Sequence, residues 1–223
     1  MVNRRFTFSE RNFPKTGEFT SLARQWNKKA IEVLFDRVWR GYDLLWAEVL
    51  CGALWTDVAD DIERDLTEQL EPRIQRSMTG FEPFGVQCCR RERETRRAAP
   101  AAPPEYDIAF YLHERPLVNF PLEAKLLRTD QALAAYVADV KQEFLTCRYA
   151  PFSAEGAMLG YLLKDAPAAV FAKIETDVPC QLQQHEGFPD RAHRFSDHQR
   201  TVEPGKTYPV AFRCHHLMLR LTV

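Results

Sequence analysis

The chain of 223 residues predicts an α/β fold, and three features of its sequence lead to this prediction. Apolar residues recur at helical spacing in two stretches before residue 80. Three stretches between residues 84 and 127 are apolar or aromatic enough for strands. A further helix and a continuous apolar strand follow them. The predicted core is therefore helix, strand, strand, strand, helix, strand (αβββαβ), with an N-terminal helical extension and a C-terminal strand.

Two helices are predicted in the first third of the chain. The first follows an irregular polar arm (1–20), has Ser21 as its N-cap and reaches about Val49. The second begins at Thr56, and Pro72 is expected to kink or end it because a proline ring clashes inside a helix. The four tryptophans all lie in this region: Trp26, Trp39, Trp46 and Trp55. They indicate an aromatic core, and the alternative is an oligomer or partner surface.

The remaining elements alternate between strands and helices. Strands are predicted at 84–93, 106–112, 117–127, 156–163 and 210–223. Helices are predicted from Thr129 or Asp130 to about Cys147 and at 165–176. A loop rich in arginine and proline (93–104) and a segment of little signal (180–208) interrupt them. The expected division is an N-terminal arm and helical extension, 1–55, packing on a domain formed by 56–223.

Composition excludes several classes of function. Lys and Arg total 30 against 31 for Asp and Glu, so a wholly basic nucleic-acid coat and a polybasic membrane-surface protein are excluded. A nuclease is not excluded, because its active site holds carboxylates beside phosphates. The six cysteines form no C-x-x-C motif, the N-terminus lacks an apolar leader, and no apolar run approaches about 20 residues. These features predict a reduced, soluble, cytoplasmic protein with no membrane partner.

Three charged residues on the predicted hairpin form the candidate active site. Glu123 and Lys125 share one face of a strand whose other face is apolar, and Asp107 lies near the start of the neighbouring strand. Two carboxylates and an ammonium group suit a Mg²⁺-dependent phosphodiesterase. The alternatives are a weak surface ion pair for Glu123 and Lys125 and a strand-entry carboxylate for Asp107. Glu63, on the inner stripe of the second helix, is a fourth candidate, or else an exposed helix charge.

Basic residues indicate where a nucleic acid would bind. Five arginines in eight residues precede the hairpin, and they either contact a DNA backbone or form a solvated strand edge. The candidate nucleic-acid contacts are Arg90, Arg91, Arg93, Arg128, Gln131, His198 and Arg200. For the last two, a polar surface loop is the favoured alternative. The histidines between 185 and 216 fit no structural zinc spacing and have no paired cysteines, so no zinc site is predicted.

The motif P-E-Y-D (104–107), followed by E-A-K (123–125), resembles the PD-(D/E)XK nuclease superfamily, which has the restriction-endonuclease-like fold. The resemblance covers roughly residues 56–163 and implies a mixed central sheet. It implies that Asp107, Glu123 and the carbonyl of Ala124 ligate Mg²⁺, for which Mn²⁺ substitutes. It also implies that Lys125 is the catalytic lysine and Glu63 the acidic residue of the first core helix. Gln131 and Tyr136 are one residue too far apart for the Q-x-x-x-Y motif of some members.

The C-terminal stretches look similar to small restriction-like bacterial proteins that are often linked to defence. The expected function is a Mg²⁺-dependent endonuclease acting on DNA in anti-phage defence or restriction. A homodimer or a partner protein would use the tryptophan-rich N-terminal helix. The alternative is a catalytically inactive nuclease-fold subunit that binds nucleic acid or a protein partner. A third hypothesis is an RNase or nuclease toxin held by a cognate inhibitor.

Overall fold

The computed structural model describes residues 28–52, 61–92, 103–164 and 166–222. Its helices are α1 (Lys28–Glu48), α2 (Ile62–Ser77), α3 (Asp130–Asp139) and α4 (Pro167–Asp177). Its strands are β1 (Phe84–Arg91), β2 (Glu105–Leu112), β3 (Arg115–Leu126), β4 (Glu155–Leu162), β5 (Gln183–Gln184), β6 (His193–Gln199) and β7 (Ala211–Arg220). The predicted α/β class is confirmed.

All seven strands belong to one mixed sheet. Their spatial order is β1-β2-β3-β4-β7-β6-β5. Strand β4 pairs in parallel with β3 on one side and with β7 on the other, and every other pair is antiparallel. The chain from α2 to β4 runs helix, three strands, helix, strand, which is the predicted order.

Several predicted features differ from the structure or fall outside the described residues. Pro72 does not end α2, which continues to Ser77 with the proline on its exposed side. The segment 180–208 contains two strands that the sequence pattern did not predict. The described residues do not include the N-terminal arm, the predicted helix starts at Ser21 and Thr56, Trp26, Trp55 and most of the loop 93–104.

Each face of the sheet carries a hydrophobic layer. Helices α1 and α2 pack on one face through side chains that include Phe35, Leu70 and Phe120. Helices α3 and α4 pack on the other, together with Met158. The even-numbered residues of β3 from 118 to 126 point into the first layer. Glu123 and Lys125 point to the opposite face, where α3 lies, as the alternation of side chains along a strand predicts. Of the predicted tryptophan cluster, Trp39 is a core residue, being 3% exposed.

Gly41 lets α1 and α2 approach each other closely. A Cβ atom placed on Gly41 would lie 2.6 Å from the side chain of Ile74 and 2.7 Å from its backbone nitrogen. Backbone atoms cannot move away as the end of a flexible side chain can. Gly41 therefore sets the separation of the two helices, and α2 is the helix that carries Glu63.

Gly41→Ala is expected to lower the free energy of unfolding by about 1–2 kcal/mol, because the new methyl group pushes α2 away from α1. The steric cost of the methyl group exceeds the gain of about 1 kcal/mol that alanine brings to a helix interior relative to glycine. Urea denaturation followed by circular dichroism measures the change. Gly52→Ala is the matched control, since no described atom lies within 4 Å of its Cβ position. Equal stability of Gly41→Ala and the wild type would contradict the close packing.

Candidate active site

Strand β3 extends beyond its pairing with β2, and this leaves a gap in the sheet. Pairing with β2 stops at Leu122, whereas pairing with β4 continues to Leu126. The amide groups of Ala124 and Leu126 face the gap, and carboxylates replace the missing strand. Asp107 Oδ2 accepts a hydrogen bond from the Ala124 amide at 2.8 Å. Glu63 Oε2 accepts one from the Leu126 amide at 2.6 Å.

Lys125 lies among four carboxylates. Its Nζ is 3.2 Å from Glu123 Oε1, 3.2 Å from Asp139 Oδ2 and 3.9 Å from Glu63 Oε1. Burial lowers the pKa of Lys125, but the negative charges of Glu123, Asp139, Glu63 and Asp107 outweigh this effect and raise it above its ordinary value. Lys125 is therefore a fixed cation at neutral pH. The structure thus brings together all four residues predicted as catalytic.

Glu123 belongs to the acidic pocket, which consists of Glu63, Asp107, Glu123, Lys125 and Asp139, and one of its oxygens lacks a hydrogen-bond partner within the described part of the chain. It is 7% exposed, and its Oε2 accepts no hydrogen bond from the described residues. Burial raises the pKa of Glu123 well above its ordinary value, and the charges of Asp107 and Asp139 raise it further, against the attraction of Lys125. Burial also raises the pKa of Asp107, although the Ala124 amide, Lys125 and a hydrogen bond with the Glu123 carboxyl oppose this. Ionising Asp107 and Glu123 at the same time therefore costs free energy in the folded protein.

A divalent cation with oxygen ligands fits this arrangement. The buried Glu123 Oε2 atom has no hydrogen-bond partner among the described residues, and the Asp107 carboxyl lies beside the Glu123 carboxyl. The carbonyl of Ala124 faces the same gap as its amide, because both groups of a strand residue point to one side. Among the described residues, no three carboxylates converge within 4.8 Å of one another. The ligands available to a cation here are therefore two carboxylates, from Asp107 and Glu123, and the Ala124 carbonyl.

Asp139 is a pocket residue that the sequence did not reveal. It is the last residue of α3, and a π-helical turn, Val140–Phe144, follows it directly. Such turns are frequent at functional sites. The buried Oδ2 of Asp139 contacts Lys125 without hydrogen-bond geometry. In the sequence Asp139 is one polar residue of an amphipathic helix, so only the packing of α3 on β3 identifies it.

Arg200, a predicted nucleic-acid contact, is a structural residue. It is 5% exposed, and its guanidinium group donates hydrogen bonds to the carbonyls of Tyr149, Ala150 and Ser153. It also lies 3.7 Å from the ring centroid of Phe212. The structure does not support a phosphate contact by Arg200, because burial keeps it from an external ligand.

Of the other predicted nucleic-acid contacts, those that the structure describes lie on separate elements of the fold. Arg90 donates to Asn119 Oδ1 at 2.6 Å and lies over the ring of Tyr111, and Arg91 pairs with Glu105 at 2.9 Å. These contacts support the alternative of a solvated strand edge. His198 is half-buried and shares a hydrogen bond with Ser196, on the strand β6. Arg128 and Gln131 are exposed just beyond the end of β3, and Arg93 is outside the described residues.

The chain matches no family model, and neither the curated proteins nor the solved structures gave a match. The resemblance to PD-(D/E)XK nucleases therefore rests on the sequence motif and stays a prediction. Within the described ranges, no helix is both long and apolar enough to cross a membrane. All six cysteines carry free thiols.

Glu123→Gln is expected to raise the melting temperature at neutral pH in EDTA, because the amide removes the cost of a charged carboxylate in the pocket. The pKa of Glu123 in the folded protein lies above the ordinary 4.5, so the folded state holds the proton between the two values. The contribution of Glu123 to stability therefore falls as pH rises through that interval. The melting temperature should rise by about 2–4 °C for each kcal/mol gained.

Thermal unfolding from acid to neutral pH measures the difference in melting temperature between Glu123→Gln and the wild type. This difference should disappear below about pH 4, where the Glu123 carboxyl is protonated in both the folded and the unfolded state. Glu68→Gln is the control, since Glu68 is an exposed residue of α2 that pairs with Arg64. A Glu123→Gln variant less stable than the wild type at pH 7 would show that the pocket does not strain this carboxylate.

Proposed function

We propose that the protein is a metal-dependent endonuclease of the PD-(D/E)XK type that hydrolyses phosphodiester bonds of DNA. The observation that carries this proposal is the unpartnered oxygen of buried Glu123 beside Asp107, with Lys125 Nζ 3.2 Å from the other Glu123 oxygen. The order of elements from α2 to β4 supports a restriction-endonuclease-like core. Restriction or anti-phage defence is the setting that the resemblance of the C-terminal stretches favours.

Mg²⁺ is the cofactor that suits these ligands, and Mn²⁺ shares its preference for oxygen. Asp107, Glu123 and the Ala124 carbonyl would hold the ion. When bound, Mg²⁺ neutralises phosphate charge and lowers the pKa of a water molecule. The raised pKa values of Asp107 and Glu123 support this assignment, because a nearby cation removes the cost of ionising both groups.

Lys125 acts as a cation and not as a base. Its raised pKa keeps Nζ protonated at neutral pH, and its contacts with Glu123 and Asp139 hold the ammonium group at the pocket. An ammonium group fixed there stabilises the negative charge that develops on the phosphate in the transition state. Glu63 positions Lys125 indirectly, because its hydrogen bond with the Leu126 amide fixes the end of β3.

Three exposed cations lie close to the pocket residues along the chain, and they favour a polyanionic substrate. Arg64 follows Glu63, Arg128 lies three residues after Lys125, and Lys141 lies two residues after Asp139. Contacts of this kind with phosphates on either side of the cut would supply most of the sequence-independent affinity for DNA.

The wild type is expected to cut supercoiled plasmid DNA in Mg²⁺ and to leave it intact in EDTA. Asp107→Asn, Glu123→Gln and Lys125→Met should each lower the rate by about 10²–10³-fold, the usual loss when a charge-stabilising group is removed from a transition state. Gel electrophoresis of nicked and linear products measures the rates. Glu105→Gln, an exposed position on the same strand as Asp107, is the control and should keep the wild-type rate.

Isothermal titration with Mg²⁺ provides a readout that does not depend on turnover, and Asp107→Asn should weaken this binding. Cleavage at equal rates by the wild type and the three variants would refute the catalytic assignment. Binding of DNA without any cleavage would establish the alternative, an inactive nuclease-fold subunit. An RNA substrate in the same assay tests the third hypothesis, an RNase.

Asp139→Asn is expected to lower the cleavage rate about tenfold and to move the alkaline limb of the pH–rate profile to lower pH. The negative charge of Asp139 helps to raise the pKa of Lys125, so its loss makes Nζ release its proton more easily. Asp130→Asn, at the exposed first turn of the same helix, should leave the profile unchanged. An alkaline limb that does not move in Asp139→Asn would exclude this positioning role.

A further inference from the structure

We propose that His185, His193 and His215 form a binding site for a zinc-type transition-metal ion, separate from the acidic pocket. In the part of the chain that the structure describes, this is the group of three potential ligands whose binding atoms all lie within 4.8 Å of one another. His185 directly follows β5, His193 begins β6 and His215 lies in β7. The ligands are thus distributed along the chain, which explains why no zinc spacing is visible in the sequence.

The distance between two of the ring nitrogens suits a single ion. His193 Nε2 and His215 Nδ1 are 3.1 Å apart. Two nitrogen ligands at about 2.0–2.1 Å from a tetrahedral zinc ion are separated by about 3.3 Å. The ring of His185 stacks on that of His193, with 4.5 Å between centroids, and lies 5.5 Å from that of His215.

His215 already has the outer contact that is typical of a metal-bound histidine. Its Nε2 is 2.8 Å from Glu155 Oε2. A histidine that donates one N–H group to a carboxylate presents the other nitrogen, here Nδ1, unprotonated.

The surroundings of the three histidines select the class of ion. All three side chains are buried, and the rings of Phe35 and Phe188 pack against them. A site of imidazole nitrogens suits Zn²⁺, Ni²⁺ or Co²⁺, whereas Mg²⁺ prefers oxygen ligands. An ion held here would link the segment after β5 to β6 and β7, on the face of the sheet that α1 covers.

Three existing hydrogen bonds compete with the ion. The 3.1 Å contact between His193 Nε2 and His215 Nδ1 is itself a hydrogen bond, which the ion would replace. The indole N–H of Trp39 is 3.4 Å from His193 Nδ1, and the amide of Gly187 donates to His185 Nδ1 at 3.1 Å. A histidine that binds a metal through Nε2 carries its proton on Nδ1, so each of these donors must turn away when the ion enters. Removing one donor should therefore strengthen binding, and Trp39→Phe tests this.

The experiment uses the full chain, stripped of metal with EDTA and titrated with Zn²⁺ against a chromophoric indicator, and in parallel with Co²⁺. One Zn²⁺ per chain is expected, with a visible absorption band of tetrahedral Co²⁺ and a melting temperature that Zn²⁺ raises.

His185→Gln should weaken binding more than 100-fold, and Glu155→Gln about 10–100-fold. Trp39→Phe should bind Zn²⁺ more tightly than the wild type does. His216→Gln, a buried neighbour that contacts Tyr136 instead, is the matched control and should bind normally.

Asp107→Asn should keep full zinc binding, which separates this site from the acidic pocket and from the proposed nuclease activity. The proposal is overturned if the wild type binds no Zn²⁺ at micromolar concentration. It is also overturned if Asp107→Asn abolishes binding while His185→Gln does not. Should the histidine variants fail to fold, the wild-type titration and its Co²⁺ spectrum still decide, because binding without a tetrahedral band excludes the site.

Discussion

Two backbone amides of β3 lack a strand partner, and the need to satisfy them organises the acidic pocket. A buried N–H group without an acceptor costs about 1–3 kcal/mol, so the sheet can open beyond Leu122 only where other acceptors replace β2. Asp107 supplies the acceptor for Ala124, and Glu63 supplies the one for Leu126. Because these acceptors are carboxylates, completing the hydrogen bonds of one strand also concentrates negative charge at its end.

The concentration of negative charge at the end of β3 lowers the stability of the folded protein. Four carboxylates surround one ammonium group, and Glu123 is held in a form that resists ionisation. A pocket designed only for stability would place a neutral side chain at this position. Under the proposed function, the unfavourable charge would favour binding of a cation, because the acids are already oriented and no reorganisation is then required. The raised pKa of Lys125 belongs to the same arrangement, since the lysine supplies the positive charge that the acids lack.

The sequence predicted the parts of the pocket that depend on local periodicity. Glu123 and Lys125 were identifiable because side chains alternate along a strand, and Glu63 because it lies on an apolar helix stripe. Asp139 was not identifiable, since its place beside Lys125 results from the packing of α3 on the sheet. Strand β6, H-R-F-S-D-H-Q, resembles a polar loop, and His193 is buried only because β6 pairs with β7 beneath α1. The three-histidine cluster is invisible in the sequence for the same reason.

Under the proposed function, the pocket acids have a structural and a catalytic role, and this has an evolutionary consequence. Asp107 and Glu63 complete the hydrogen bonding of β3 and would remain under selection in a relative that had lost catalysis. Glu123 accepts no backbone hydrogen bond there, and its replacement by a neutral residue would make such a relative more stable. Loss of activity by drift should therefore remove Glu123 first and leave Asp107 in place. In a set of related chains, position 123 would distinguish active members from inactive ones, whereas position 107 would not.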